Sequence, residues 1–255
     1  MDDPYASIAR FYDRAVRQDA DLPLYEALAH RYGDPILEVG AGTGRIAVPL
    51  ARAGHTVVAL EPSSEMLALG QARAEREGVS VRWVQQQIEQ CILEPGFGMV
   101  FSAIDGFLHL ATDKAHNDAL KQIHRLLRPG GCLVLDLPTL TAWSDWQPGV
   151  RPLELYWSEV ESDGVRTNHL GTFRADPSTQ TRHVVHIFEE LHTDGAARRW
   201  VTEYDLRFIG RYEVELLLMQ AGFQIISLHG DYDLNPLNAE SERMLVLAEA
   251  VDRRD

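Results

Sequence analysis

Glycines stand at positions 40, 42 and 44 of the stretch ILEVGAGTGRIAVPLARAGHTVVALEPS (residues 36 to 63), and an acid, Glu61, closes the second apolar run. A glycine backbone reaches φ > 0 and admits a ligand where a Cβ would clash. Three such positions between a strand and a helix start make a tight crevice at the carboxyl end of the strand, where open parallel sheets bind nucleotides. Glu61, about 20 residues beyond the first glycine, has the placement of a carboxylate that accepts hydrogen bonds from both ribose hydroxyls. The chemistry these residue types suggest is the holding of a nucleoside.

Spacing separates two versions of such a site. A dinucleotide fingerprint reads G-x-G-x-x-G/A, its third small residue letting helix and strand pack behind a pyrophosphate. Counted from Gly40, that position falls on Arg45, and the glycines run G-x-G-x-G. A pyrophosphate is disfavoured, and Glu61 would repel a 2′-phosphate. Groups able to move a proton or orient a second ligand come later. SAIDGFLHL (102 to 110) supplies Asp105 and His109, and LPTLTAWSDW (137 to 146) supplies Trp143 and Trp146. His109 is a candidate general base, with packing as its alternative; Asp105 is a candidate for orienting an acceptor, with a turn or capping role as its alternative. Trp200, Thr202, Tyr204, Leu206 and Phe208 share one face by strand alternation, and Glu203, Asp205 and Arg207 the other. The aromatic face is expected to be buried, with Tyr204 the catalytic candidate if it meets a substrate and Tyr156 a further substrate contact. His183 and His186, three apart on a predicted strand, point to opposite faces, which is wrong for shared ligation. With no H-E-x-x-H and no C-x-x-C pair, no metal site is expected.

These residues need a scaffold, and the apolar pattern supplies one. Apolar runs at 36 to 39, 57 to 60, 79 to 84, 99 to 104 and 132 to 137 alternate with helical patterns over 47 to 53, 64 to 77 and 113 to 127. Such alternation predicts βαβ units and a parallel sheet. Pro129, Gly130 and Gly131 stop the third of these helices. Two helices are expected in the first 34 residues, from Ile8, Phe11 and Tyr12 and from Leu24 and Leu28. From about 150 to 209, turn signals at Asp163-Gly164, Asp176-Pro177 and Asp194-Gly195 divide strand-like segments, which predicts four antiparallel strands. A helix ended by Gly222 and two strands follow. The expected organisation is a core of residues 1–149 and 210–255 with an antiparallel insertion, 150–209, serving as a substrate lid.

Composition bounds the function. With 255 residues and 45% apolar content, the chain can bury a substantial core. A formal net charge of -14, from 38 acids against 24 bases, works against polyanionic partners, so nucleic acid is not expected. No apolar run approaches the roughly 20 residues that span a bilayer. With two cysteines and no apolar leader, a cytoplasmic location is expected.

The ordered set of motifs resembles the class I S-adenosylmethionine-dependent methyltransferases. EVGAGTG (38 to 44) and LEPSSEML (60 to 67) look like that family's cofactor site, and RFYD (10 to 13), LLRPGG (126 to 131) and AGF (221 to 223) extend the likeness. The resemblance implies an α/β Rossmann-like sheet of order 3-2-1-4-5-7-6 with strand 7 antiparallel, and S-adenosyl-L-methionine as cofactor. It implies that Glu38, Gly40, Gly42, Gly44, Glu61, Pro62 and Met66 form the cofactor site with Gln87, Ile88 and Ala103, and that Tyr12 closes over the methionine part. Two departures stand out. Gln87-Ile88 replaces an acid and an apolar residue after strand three, and Phe97-Gly98-Met99 replaces a Phe-Asp opening of strand four. The insertion is similar to that of methyltransferases acting on sugar amines and other polar metabolites. The expected reaction is in-line methyl transfer to nitrogen or oxygen of a small polar molecule, whose requirement is alignment and exclusion of water. Asp105, Trp143 and Tyr156 are the expected substrate contacts, His109 and Tyr204 the catalytic ones, and a homodimer is possible. The alternatives are a catalytically silent cofactor-binding subunit and a nicotinamide-dependent oxidoreductase.

Overall fold

The computed structural model describes residues 3–17, 19–143 and 148–251; Trp146 lies outside them. Helices α1 (Ala9–Ala15) and α2 (Leu22–Tyr32) precede β1 (Ile36–Val39), and α3 (Ala47–Arg52), β2 (Val57–Leu60), α4 (Ser64–Glu77) and β3 (Arg82–Val84) follow. Next come β4 (Phe97–Ser102), α5 (Asp113–Leu126) and β5 (Leu127–Pro138), with single 3-10 turns at Ile88–Gln90 and Gly106–His109. Strands β6 (Gly149–Val150), β7 (Glu154–Val160), β8 (Arg166–Asp176), β9 (Thr181–Leu191) and β10 (Ala197–Arg207) form the second block. The chain ends in α6 (Arg211–Ala221), β11 (Phe223–His229) and β12 (Arg243–Ala250).

The first sheet has seven strands in the order β3-β2-β1-β4-β5-β12-β11. β1 to β5 pair in parallel, and β12 runs antiparallel to both β5 and β11. Discounting the insertion, this is 3-2-1-4-5-7-6 with the last strand reversed, as the resemblance implied. β1, β2 and β4 are buried at every position because both faces are covered, and they are apolar apart from Glu38 and Ser102. Leu37, Val39, Val58, Leu60 and Val100 pack on the side of α5 and α6, whereas Ile36, Val57, Ala59, Met99 and Phe101 pack on the side of α2 and α3. Each fully buried Leu or Ile contributes about 1.5–3 kcal/mol.

Several boundaries differ from the sequence reading. β4 covers 97–102 rather than 99–104, and β5 begins at Leu127 rather than 132, so Pro129, Gly130 and Gly131 lie within the strand and the helix ends before them at Leu126. Two further differences have local reasons. The third strand, expected over 79 to 84, begins at Arg82 because Gly78 turns left-handed (φ 67°) and Val79 N–H bonds back to the Ala74 carbonyl, completing the end of α4. In the second block the two-residue β6 joins four long strands, pairing with β8 through Gly149 and Val150. Among the described residues no helix is long and apolar enough to cross a membrane.

Helix α1 joins the two sheets. Phe11 stacks on Phe188 of β9, with ring centroids 4.8 Å apart and planes within 2°, and the Arg10 guanidinium lies 4.0 Å over Trp200 of β10. Arg14 bonds Glu161 at 2.7 Å and Glu159 at 3.1 Å, and Thr202 donates its hydroxyl to the Pro4 carbonyl. The inner face of the second sheet, with Tyr204 and its neighbours, is thereby held over the carboxyl ends of β1 and β4.

The departure at Phe97-Gly98 has a steric cause. A Cβ at Gly98 would land on the carbonyl oxygens of Gly33 and Tyr32, which are backbone atoms with no room to move. Gly98→Ala is therefore expected to lower unfolding stability by at least about 1–3 kcal/mol, the cost of overpacking, read by urea denaturation. An unchanged midpoint would show that the turn after α2 can shift.

Candidate active site

The crevice is built around one carboxylate. Glu61, 6% exposed, accepts the Gly42 N–H at 2.7 Å and the Ser63 N–H at 2.9 Å. Burial raises its pKa and these two donors oppose the rise. The loop bends because Gly40, Gly42 and Gly44 all take positive φ, at 74°, 56° and 73°. At Gly44 a side chain is excluded by Trp83, whose ring lies 2.7 Å from where a Cβ would be; at Gly40 the same space is open, with nothing within 4 Å. The first position leaves room for a ligand, and the third for packing.

Around the loop stand the other expected cofactor residues. Met66 is held by the cap of α4, where Ser63 Oγ accepts the Met66 N–H, and its methyl reaches toward Gly42 together with the Tyr12 ring. Ile88 is buried beside the 3-10 turn that Gln87 opens, while Pro62 is exposed on the turn after β2. Glu38, 3% exposed at the end of β1, has one oxygen, Oε2, buried without a partner. Desolvation pushes its pKa up to about 8, against the nearby Arg45 charge and the Ala47 backbone. Arg45, at the position that argued against a dinucleotide, turns aside to bond both oxygens of the fully buried Asp21 at 2.7 and 2.6 Å.

A second group of residues closes the space above the loop. Tyr5 Oη lies 2.9 Å from His109 Nε2, and the Tyr5 ring stacks on Tyr204 at 5.5 Å and meets Tyr12 edge-on at 5.7 Å. His109 keeps much of its surface exposed. The protein packed around it lowers its pKa to about 4, leaving the ring neutral. Burial also pushes Tyr204 up to about 12, and Tyr12 above its ordinary range. Tyr204 bonds His186 Nε2 at 3.0 Å, and Tyr156 packs edge-on against His169 and over Gly171. The wall at the reacting end thus consists of neutral phenols and imidazoles.

The remaining candidates divide. Ala103 follows β4, and its carbonyl accepts the Gly106 N–H. Ile104 and Asp105 take φ of 37° and 59°, a conformation costly for side-chain-bearing residues and held here by a network. Asp136 accepts the Ile104 N–H and bonds Arg243 and Tyr232, and Arg243 also bonds Asp105 at 2.7 Å. The Asp105 carboxylate is thus engaged with Arg243, and orients the strained turn. Trp143 departs from the expected substrate contact: it is 5% exposed, packed on Phe208 with the Arg182 guanidinium 4.3 Å over its ring, so its surface is taken up by packing.

Sequence reasoning missed several members. Tyr5 lies one turn before Ile8, and helical spacing alone gave no sign that its hydroxyl reaches His109. Asp13 ties α1 to the loop by accepting from Thr43 at 2.5 Å and to α4 by pairing with Arg73 at 2.6 Å. Its signal was its place beside Tyr12. His169 and His186 come from different strands, and only the register of β8 with β9 brings them together. His183 points the other way, to Asp205 and Glu203.

Comparison with known proteins follows this geometry. Residues 36–131 match a family described as a methyltransferase domain. A putative methyltransferase of Geobacillus sp. (strain WCH70) is 26% identical, covering 96% of this chain and 98% of that protein. An uncharacterized methyltransferase of Synechocystis sp. (strain ATCC 27184 / PCC 6803 / Kazusa) is 33% identical over 56% of this chain and 67% of that one. Among solved structures, the CcbJ methyltransferase from Streptomyces caelestis superposes with a TM-score of 0.84 at 26% identity, over 98% of this chain and 100% of that chain. The sugar N-methyltransferase KedS8 from Streptoalloteichus sp. ATCC 53650 gives 0.75 at 18% identity over 99% and 96%, a likeness of fold.

Glu38 makes a measurable prediction. An acid whose folded pKa is raised binds more protons folded than unfolded, so its contribution is most favourable below the ordinary pKa near 4.5 and worsens as pH climbs through about 8. Glu38→Gln keeps the volume and removes the ionisation. Without ligand, the variant is expected to gain stability over wild type between pH 5 and pH 8, by up to about 1.4 kcal/mol per pH unit. Parallel urea curves at the two pH values would show instead that Glu38 ionises without penalty.

Proposed function

Because the chain belongs to the class I S-adenosylmethionine-dependent methyltransferases, we propose that it methylates an amine of a small polar metabolite held between the glycine loop and the inner face of the second sheet. The observation that carries this reading is the cluster of Tyr5, His109 and Tyr204, in mutual contact and meeting the Tyr12 ring beside the loop. The cofactor supplies an electrophilic methyl on a sulfonium. Glu61 and the open space at Gly40 suit the adenosine side, and the unpartnered Oε2 of Glu38 suits an ammonium.

On this reading the protein's work is alignment. The second sheet, residues 150–209, acts as a lid that excludes water, and α1 pins it to the core while placing Tyr12 beside Gly42. Tyr204 and His109 face the acceptor. His109, neutral and bonded to Tyr5, takes the proton that the nitrogen sheds, with Tyr5 as the link. The fold likeness to a sugar N-methyltransferase supports an amine rather than a hydroxyl as nucleophile. Two free buried thiols, Cys91 and Cys132, fit a reducing, cytoplasmic compartment.

The test has two arms. S-adenosylhomocysteine at 100 times its Kd should stabilise the fold by about 2.7 kcal/mol, and NAD should not. With methyl donor present, a panel of amino sugars should yield N-methylated product by mass spectrometry; product only on oxygen would overturn the choice of amine. His109→Ala is expected to lower kcat about 100-fold, within the range for one acid–base group, with S-adenosylhomocysteine affinity within a few fold. Turnover near that of wild type would remove His109 from the reaction.

A further inference from the structure

Behind Tyr204 the second sheet carries two histidines that never reach the cavity's reacting end. Tyr204 Oη lies 3.0 Å from His186 Nε2, and His186 Nδ1 lies 2.9 Å from His169 Nε2. The chain stops at His169 Nδ1, which is buried without a partner in a residue 5% exposed. Beside it Trp157, whose ring centroid is 5.6 Å from that of His169, buries its Nε1–H also without a partner. Stacking fixes the terminal ring: His169 lies 4.3 Å from Phe188 with planes within 8°, and Phe188 in turn stacks on Phe11.

Burial lowers both imidazoles to pKa values of about 4, so each holds one proton at neutral pH. The hydrogen bonds can then run in one of two directions. Running outward, Tyr204 donates to His186, His186 to His169, and the chain finishes as a His169 Nδ1–H set next to the indole N–H of Trp157. That leaves two buried donors together and no acceptor. Running inward, His169 Nε2–H donates to His186 Nδ1, His186 Nε2–H donates to Tyr204 Oη, and His169 Nδ1 is a lone pair. The loose end is then an acceptor, so the indole N–H of Trp157 is the one orphan donor of the pair rather than one of two. Buried donors without acceptors are the rarer and costlier kind of orphan.

We propose that His169 and His186 are positioning residues that hold Tyr204 as a hydrogen donor to the methyl acceptor, so that the acceptor carries a lone-pair oxygen or nitrogen beside the atom that is methylated. This rests on the cavity being the acceptor site. With His186 Nε2–H on its oxygen, the Tyr204 hydroxyl turns its own proton inward, toward Tyr5 in the free enzyme and toward the acceptor in the complex. An amine with a vicinal hydroxyl presents the required lone pair.

Two measurements test this. In protein carrying 15N-labelled histidine, long-range 1H–15N spectra report which ring nitrogen bears the proton, with assignments from His169→Gln and His186→Gln. Both residues are expected as Nε2–H tautomers at neutral pH, and Tyr204→Phe should shift the His186 signals by removing their acceptor. An Nδ1–H tautomer or a doubly protonated ring at either position overturns the proposal alone and leaves methyl transfer standing. In the second measurement, amino sugars with a vicinal hydroxyl are compared with deoxy counterparts lacking it. Wild type should favour the former by about tenfold in kcat/KM, the worth of one hydrogen bond. Tyr204→Phe and His186→Ala should each abolish that preference without changing S-adenosylhomocysteine affinity. A preference that survives in His186→Ala overturns the positioning role, and no methylation of any amine in the panel overturns the reading of the cavity and this proposal with it.

Discussion

The Glu61 carboxylate, bridging two backbone N–H groups, is the constraint on which the rest of the site depends. One donor, Gly42, belongs to the loop after β1 and the other, Ser63, to the turn after β2, so a single buried side chain ties adjacent strand ends together. Neither donor has another partner in a loop too bent for regular pairing. A buried carboxylate is costly unless its oxygens are met, and here they are met by groups that would otherwise be orphans themselves. The two bonds also fix the orientation of the carboxylate, which on the proposed reading offers a nucleoside a preorganised acceptor.

Above this floor the structure separates charge from reactivity. In the proposed site Glu38 and Glu61 belong to the cofactor side, while the proposed acceptor side holds phenols and imidazoles that desolvation keeps neutral. Asp105, the acid nearest that side, is neutralised by Arg243, which also spans Asp136. On the proposed amine reading, methyl transfer moves positive charge from sulfur to nitrogen beside Tyr5 and Tyr12, whose ring faces attract a cation.

Much of this was legible beforehand, and unevenly. The parallel core was readable because strands buried on both faces are mostly apolar, Glu38 and Asp136 being buried exceptions. Gly40, Gly42, Gly44 and Glu61 were readable because their task constrains residue type and spacing within one short stretch. The aromatic wall was legible only in part. His109 and Tyr204 were candidates from the sequence, whereas Tyr5, His186 and His169 lie on an N-terminal turn and two strands, and each taken singly has an ordinary packing explanation. Trp143 shows the reverse case: an aromatic residue in a loop beyond β5 invited a binding role, yet the space between Phe208 and Arg182 claims it.

The N-terminal helix ties the second sheet to the glycine loop: its arginines bond Glu159, Glu161 and Glu190 while Asp13 bonds Thr43. A second attachment lies at the end of β10, where Phe208 joins the main core and Arg207 pairs with Asp113 and Glu213. The ion pairs of α1 are largely exposed, and exposed pairs each contribute little. On the proposed reading, a linkage of many individually weak bonds around one aromatic stack suits a lid beneath which a ligand enters.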